Sequence, residues 1–240
     1  MALREDYIRC GQWLFRYRSF IPLVLFVFVF LVIYFDLDKF YTFTPHIYCC
    51  IIISIMGVFV RCCAVGDSHK NTSGRNRVTQ VADDINTTGI YSLLRHPLYL
   101  GNYLIWLGMS LFTGSLLITL FAFLFFWRYY EIIMFTEEEY LRGKFGQKYE
   151  DWANRVPAVI PNGKNYVKNA TMFSIKKVIR KENDGVYAIV LGYFYVRFIT
   201  DFSKGEMINI HDPWVYTVGV ATILYIIVKI LKKKTNILKG

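Results

Sequence analysis

The sequence has little charge and no recognisable cysteine pattern. Charged residues make up 19% of its 240 positions and hydrophobic residues 55%, whereas a soluble domain typically carries about 25% charged residues. This balance excludes an intrinsically disordered chain. The cysteines form no CxxC pair and no even framework, which excludes a disulfide scaffold; they are Cys10, Cys49, Cys50, Cys62 and Cys63. Four lie in or beside an apolar run, and we interpret them as small hydrophobic groups, with palmitoylation of Cys62 or Cys63 as the alternative.

Acidic residues are also few compared with basic ones. The chain has 18 Asp and Glu against 28 Lys and Arg, which gives a formal net charge of +10. On a soluble fold this excess would favour a nucleic-acid partner, but a mean hydropathy of +0.33 argues against a soluble fold. In a membrane protein the same excess usually lies in cytoplasmic loops and termini. We therefore predict an integral membrane protein with no nucleic-acid partner.

Long apolar runs divide the sequence into six predicted transmembrane helices, since a spanning helix needs about 20 mostly apolar residues. The runs are Phe20–Phe35, His46–Val65, Pro97–Phe112, Ser115–Trp127, Val186–Phe202 and Trp214–Ile230. The fourth continues as a helical pattern over Arg128–Phe135, which should emerge from the bilayer. The predicted fold class is therefore all-α, a polytopic membrane protein with about six transmembrane helices.

The distribution of lysine and arginine predicts the orientation of these helices. Basic residues dominate the N-terminal segment, the C-terminus and the ranges Gly66–Arg95 and Glu137–Gly185, whereas Asp36–Pro45 and Ser203–Pro213 carry few. By the positive-inside rule, both termini and the two basic loops are predicted to be cytoplasmic.

The first candidate site lies where the third helix is predicted to begin. Pro97 suits the first turn of a helix, and His96 and Tyr99 are three residues apart, so they can share one face. Gly101 clears that face for close approach of another helix or a ligand. A helix N-terminus offers unpaired N–H groups and partial positive charge, which suit a carboxylate. The alternative is that Arg95 and His96 mark the bilayer edge and Tyr99 belongs to an aromatic belt.

The second candidate site is a run of three glutamates, Glu137, Glu138 and Glu139, at the predicted cytoplasmic end of a helix. Negative charge there opposes both the helix dipole and the positive-inside trend. Such an unfavourable arrangement indicates a cationic ligand, with an exposed charged turn as the alternative.

Together these clusters carry the patterns TGxYxxxRHPxYxG, EExxLxxxFGxxY and VPxxIP, in that order, between Thr87 and Pro161. This region resembles the isoprenylcysteine carboxyl methyltransferase and phospholipid N-methyltransferase superfamily of integral membrane enzymes. The resemblance implies S-adenosylmethionine as methyl donor, no metal, and a site on the cytoplasmic face. By the same resemblance, the positions that would bind the cofactor are Arg95, His96, Tyr99, Gly101, Glu137 and Glu138.

The expected reaction is an in-line methyl transfer to a lipid or lipid-anchored acceptor, driven by positioning and exclusion of water. A carboxylate acceptor needs no general base, whereas an amine must first lose a proton. Arg128 and Glu131, on one face of the fourth helix, are candidates to orient the acceptor's polar head, because ionisable groups at membrane depth are often functional. With Tyr99 they form the predicted catalytic set. A structural i,i+3 ion pair is the alternative interpretation of Arg128 and Glu131.

These predictions divide the chain into three parts: an N-terminal anchor hairpin (1–66), a methyltransferase core with cytoplasmic loop, helical hairpin and Glu-rich helix (67–161), and a basic linker with two C-terminal transmembrane helices (162–240).

The stretch Ile132–Thr136 lacks the arginines that often precede the paired glutamates in prenylcysteine enzymes, so amine and carboxylate acceptors both stay open. Two alternative functions are a non-catalytic transport or scaffold protein and an isoprenoid or sterol reductase.

Overall fold

The computed structural model describes residues 3–38, 44–68, 82–169, 172–206, 209–235 and 238. Its α-helices are Leu3–Tyr17 (α1), Val24–Tyr34 (α2), Thr44–Asp67 (α3), Pro97–Phe112 (α4), Leu116–Phe145 (α5), Gln147–Ala153 (α6), Ile175–Ser203 (α7) and Pro213–Lys234 (α8). Short 3-10 turns cover Ile21–Leu23, Gly89–Ser92 and Gly163–Asn165. These described ranges contain no β-strand, which confirms the all-α prediction. Residues 69–81 of the basic loop used to predict orientation lie outside them.

Four helices are long and apolar enough to cross a membrane: α3 over His46–Asp67, α5, α7 and α8. The pair Leu3–Tyr17 and Ile21–Tyr34 passes the same test jointly as a fifth candidate, bent by 76°. The predicted polytopic architecture is therefore confirmed with four or five candidate spans. The difference from six comes largely from α4, which has 16 residues. At about 1.5 Å per residue it is roughly 24 Å long, less than the ~30 Å hydrocarbon core.

The α4–α5 hairpin forms at the predicted turn, Thr113–Gly114. Gly114 has φ 70°, a left-handed conformation that glycine adopts without strain. Ser115 caps α5, because its Oγ accepts a hydrogen bond of 3.1 Å from the backbone N–H of Ile118. From there α5 runs without a break to Phe145, which extends the predicted helical continuation by about three turns. All three glutamates therefore lie inside a helix.

Helices α3 and α4 pack backbone to backbone through glycines. A Cβ atom added at Gly101 would lie 2.7 Å from the carbonyl oxygen of Gly57, and one added at Gly57 would lie 2.5 Å from that of Gly101. A Cβ at Gly108 would lie 2.6 Å from the carbonyl oxygen of Cys50. Small residues allow this close approach in membrane helix pairs. The face of α4 that carries Gly101 and Gly108 therefore packs against α3.

The apolar core lies where α2, α4, α5 and α7 meet. Its most buried side chains include Leu25, Val29, Val32, Ile105, Met109, Ile118, Phe126, Ile133 and Val196. Helix α8 has no buried residue and packs mainly against α7, while its Trp214 contacts the ring of Phe112 on α4. This core therefore holds α4 and α5 rigidly side by side, which fixes the side chains at their shared polar end.

Helix α1 lies against the second half of α5, an arrangement that the sequence analysis did not predict. Gly11 permits the approach, because a Cβ atom there would overlap the side chain of Thr136. Arg4 forms an ion pair with Glu139, and Arg128 donates a hydrogen bond to the hydroxyl of Tyr7. The N-terminal helix thus covers the part of α5 that carries the glutamates.

Candidate active site

A cavity of about 380 Å³ opens where α4 begins, between α5, α6 and the ends of α1, α3 and α7. Its polar and aromatic lining includes Arg18, Arg61, Asp84, Arg95, His96, Tyr99, Asn102, Tyr130, Glu137, Trp152, Lys181 and Glu182. The motif residues from separate parts of the sequence therefore meet in one place.

Tyr99 and Glu137 connect α4 to α5 at the cavity wall. The hydroxyl of Tyr99 donates a hydrogen bond of 2.7 Å to Oε1 of Glu137. The Nδ1 atom of His96 lies 3.8 Å from the other carboxylate oxygen. The Glu137 side chain is 26% exposed, so its carboxylate is held in place and still accessible from the cavity. This geometry presents a fixed negative charge to a ligand.

Glu138 forms a second connection between the same helices. Its Oε1 atom lies 2.9 Å from Nε2 of His96 and accepts a hydrogen bond of 2.8 Å from Nε of Arg95. His96 itself is only 6% exposed. The imidazole is therefore bracketed by the two glutamates, which orients its ring at the start of α4.

Arg95 joins three segments of the chain. Its Nη1 atom donates hydrogen bonds to the carbonyl oxygens of Ala153, at 2.7 Å, and Val156, at 2.8 Å. Its backbone N–H donates to the carbonyl oxygen of Pro157 at 2.8 Å. Arg95 lines the cavity, but its guanidinium is engaged by Glu138 and by these carbonyls, so it also organises the site. The VPxxIP segment is the partner that this arginine fixes.

The third glutamate faces away from the cavity. Glu139 forms ion pairs with Arg4 of α1 and with Arg142 one turn later on α5. Of the three glutamates, Glu137 lines the cavity, and Glu138 contacts His96 and Arg95 of its lining.

Four other predicted site residues lie outside the cavity lining: Gly101, Arg128, Glu131 and Glu138. Gly101 faces α3, where it contacts Gly57 and the side chain of Arg61. Arg128 and Glu131 are about half exposed on α5 and form an i,i+3 ion pair of 2.5 Å. Their position matches the structural alternative raised from the sequence, and the structure does not bring them together with His96 or Glu137.

A second charged cluster in the cavity was missed by the sequence analysis. Arg61 of α3 donates two hydrogen bonds to Glu182 of α7, from Nε at 2.8 Å and from Nη2 at 2.9 Å. The same guanidinium donates to the side-chain oxygen of Asn102 on α4. The available signal was Arg61 itself, an ionisable residue inside an apolar run. Nothing in the sequence pairs it with a partner 121 positions away.

Aromatic side chains form another part of the site. Trp152 of α6 donates a hydrogen bond of 3.3 Å from its indole N–H to the carbonyl oxygen of Tyr91. Burial, and then the charge of Glu137, raise the pKa of Tyr91 well above its usual range. The Tyr91 hydroxyl therefore stays neutral throughout the physiological range.

In the described part of the chain, no three His, Cys, Asp or Glu side chains are grouped closely enough to hold a metal ion.

The fold and the cavity define a polytopic helical membrane protein with a polar pocket at one end of its helices. Comparison with known proteins identifies the class further. The phospholipid methyltransferase (PEMT) family model matches residues 46–148. This match confirms that the segment is similar to the superfamily of isoprenylcysteine- and phospholipid-type membrane methyltransferases, the resemblance that its motifs carry.

The similar curated proteins are matched over part of their length. Protein-S-isoprenylcysteine O-methyltransferase of Schizosaccharomyces pombe is 36% identical over 39% of this chain and 38% of its own. Protein-S-isoprenylcysteine O-methyltransferase B of Arabidopsis thaliana is 34% identical over 31% of this chain and 38% of its own. The cobalt-zinc-cadmium resistance protein CzcN of Cupriavidus metallidurans is 39% identical over 37% of this chain and 38% of its own length. The matched region thus spans well under half of each relative. No solved structure matches the chain.

Proposed function

We propose that this protein is an S-adenosylmethionine-dependent integral membrane methyltransferase that acts on a lipid-embedded acceptor, with its site on the cytoplasmic side. The observation that carries the proposal is the hydrogen bond from Tyr99 to Glu137 at the cavity wall. It joins the two motifs of the family-like segment and fixes a carboxylate facing the cavity. Relatives named as isoprenylcysteine O-methyltransferases support the same activity.

The residues of the cavity fit this cofactor. S-adenosylmethionine carries an ammonium, a sulfonium, a carboxylate and ribose hydroxyls. Glu137 suits the ammonium or the ribose, and the faces of Tyr99, Tyr130 and Trp152 suit a sulfonium by cation–π attraction. The cavity volume of about 380 Å³ lies within the usual ~300–1,000 Å³ of small-molecule sites. His96 and Glu138 belong to the proposed binding set. Arg95 and Gly101 would contribute indirectly, because they fix the positions of the helices around the cavity.

When bound, the cofactor supplies a methyl group activated by the adjacent sulfonium. The chain's own contribution is positioning. Tyr99 holds the Glu137 carboxylate in one orientation, and the rigid α4–α5 pair fixes the cavity wall, so a ligand is bound in a limited range of geometries. Tyr99 and Tyr130 of the cavity lining pack in the apolar core, which would limit access of water from that side.

The acceptor is proposed to be an isoprenylcysteine-type carboxylate or a phospholipid amine, which reaches the site from the bilayer. A carboxylate is nucleophilic without a base, whereas an amine must transfer a proton first. Arg128 and Glu131 lie on the exposed face of α5, where they would meet an acceptor in the lipid before it enters the cavity. We therefore keep them as candidates to orient the acceptor's head. A transport or scaffold protein and a reductase are less well supported, because the named relatives include methyltransferases.

The test is binding of tritiated S-adenosylhomocysteine, the demethylated cofactor, to detergent-solubilised protein supplied with lipid. Glu137→Gln should weaken binding about 10- to 100-fold, the range expected for loss of a hydrogen bond to a charged group. Glu139→Gln is the matched control on the same helix, and it should bind like the wild type because Glu139 does not line the cavity. A wild-type protein that does not bind would contradict the proposal. A labelled-methyl assay with total lipid extract and an isoprenylcysteine would then identify the acceptor.

A further inference from the structure

Helix α7 contributes to the cavity although it lies beyond the family-matching segment, which ends at residue 148. Both Lys181 and Glu182 of α7 line the cavity together with residues of α4 and α5. The C-terminal part of the chain is thus more than a membrane anchor.

The Arg61–Glu182 ion pair fastens α7 at this point. Glu182 is 5% exposed, and its two carboxylate oxygens each accept one hydrogen bond from the guanidinium. A buried charge is strongly unfavourable without its partner, so the pair restrains both helices to one relative position. Bidentate geometry adds directional precision to this restraint. Arg61 also donates to Asn102, which connects the pair to α4.

Gly101 is part of the same arrangement. A Cβ atom at this position would lie 2.6 Å from Cγ of Arg61. The glycine therefore allows the arginine stem to pass over α4 and reach α7. The motif position Gly101, which does not line the cavity, acts on it through Arg61.

We propose that Arg61 and Glu182 are positioning residues that hold α7 as a wall of the cavity, so that Lys181 supplies a cation to the carboxylate of a ligand. This inference rests on the proposed function. Glu137 on α5 and Lys181 on α7 place opposite charges on different walls, an arrangement that suits a ligand with an ammonium and a carboxylate. The carboxylate belongs either to the amino-acid end of the cofactor or to an acidic acceptor, and the experiment separates these sources.

The first test replaces Lys181. Lys181→Met should weaken binding of tritiated S-adenosylhomocysteine about 10- to 100-fold if the cofactor supplies the carboxylate. If an acidic acceptor supplies it, binding stays unchanged and the KM for an isoprenylcysteine acid rises by a similar factor. Lys181→Arg, which keeps the charge, should retain most of the function. Lys176→Met is the control, because Lys176 is exposed on the same helix and does not line the cavity.

The second test asks whether Glu182 acts through Lys181. Glu182→Gln should weaken the same binding or raise the same KM, and in the Lys181→Met background it should add little, because the two changes remove one interaction. Asp184→Asn is the control: it breaks the Asp184–Lys229 pair of 2.9 Å on the outer side of α7, where Asp184 is 47% exposed. Thermal unfolding of each variant shows whether a loss of binding is merely a loss of fold.

The outcomes distinguish this inference from the proposed function. A wild-type protein that fails to bind S-adenosylhomocysteine overturns both. A wild-type protein that binds it, together with a Lys181→Met variant that matches the wild type in both binding and acceptor KM, overturns the inference about α7 alone. Full additivity of Glu182→Gln and Lys181→Met contradicts the positioning role of Glu182.

Discussion

The hydroxyl of Tyr99 donates a hydrogen bond of 2.7 Å to the carboxylate of Glu137, across 38 positions of sequence. Tyr99 lies in the first turn of α4 and Glu137 in the second half of α5, beyond the turn at Gly114. The α4–α5 hairpin therefore brings the two motifs into contact. This contact makes the carboxylate a fixed part of the cavity wall.

Replacing Tyr99 by phenylalanine should remove this contact with little change in shape. We expect Tyr99→Phe to weaken binding of S-adenosylhomocysteine and to lower the unfolding free energy by about 1.5–3 kcal/mol, since the bond is to a charged group. Tyr103→Phe is the control on the same helix, because the buried Tyr103 hydroxyl has no hydrogen-bond partner among the described residues. Equal behaviour of the two variants in a binding assay would show that the Tyr99 hydroxyl has no special role.

Replacing Gly101 by alanine should disturb the α3–α4 contact. The added methyl would lie 2.7 Å from the Gly57 carbonyl oxygen, a backbone atom that moves only if the helices separate. We expect a loss of about 1–3 kcal/mol of stability, as for other overpacked sites. Gly219→Ala on α8 has no atom within 4 Å of its new methyl and should be neutral or slightly stabilising. Thermal unfolding in detergent micelles measures the difference, and a Gly101→Ala variant as stable as Gly219→Ala would contradict this packing role.

Replacing Arg95 by lysine should loosen the segment that follows α6. A lysine ammonium is a point charge without the planar guanidinium fork, so it cannot bind Glu138, Ala153 and Val156 in the same geometry. Hydrogen exchange of the backbone amides in 152–158 should therefore become faster. Arg155→Lys is the comparison, since the side chain of exposed Arg155 donates only to the Asp151 carbonyl among the contacts described for it. Unchanged exchange in Arg95→Lys would mean that the segment is held by its backbone hydrogen bonds alone.

Replacing Arg128 by glutamine separates the two interpretations of the exposed pair on α5. If Arg128 orients the acceptor, Arg128→Gln should raise the acceptor KM and leave binding of S-adenosylhomocysteine unchanged, because Arg128 does not line the cavity. If the pair with Glu131 is only structural, both quantities should match the wild type, since an exposed ion pair contributes about 0.2–1 kcal/mol. Steady-state kinetics with varied acceptor distinguishes these results.

The local pattern of the chain allowed much of this protein to be predicted. Pro97 marks the start of α4, and the turn at Thr113–Gly114 marks the hairpin, because both depend on backbone preferences of the residues themselves. The two motifs also indicated which side chains meet in the cavity, His96 and Tyr99 from one and Glu137 from the other. Hydrophobic run length was less informative for α4, because a short helix packed against α3 has the same composition as a spanning one.

Other parts of the site depend on contacts that no local pattern contains. Arg61 and Glu182 lie in different helices, 121 positions apart, and the sequence gives each only as an isolated charge. The same holds for α1. Its Gly11 contacts Thr136 and its Arg4 pairs with Glu139 of α5, and neither contact can be predicted from the residues near Gly11 and Arg4 in the sequence.

The sequence by itself determined the membrane class and the all-helical fold, since these follow from composition and from the apolar runs. Its motifs carried the resemblance to membrane methyltransferases, and that resemblance implied the site. Only the tertiary structure decided the roles of Arg95, Gly101 and α7. Arg95 is hydrogen-bonded to the Ala153–Pro157 segment. Gly101 leaves space for the side chain of Arg61, and α7 forms part of the cavity lining. The physical reason is that a buried polar group needs a hydrogen-bonding partner, and the packing of the helices determines which group lies within reach.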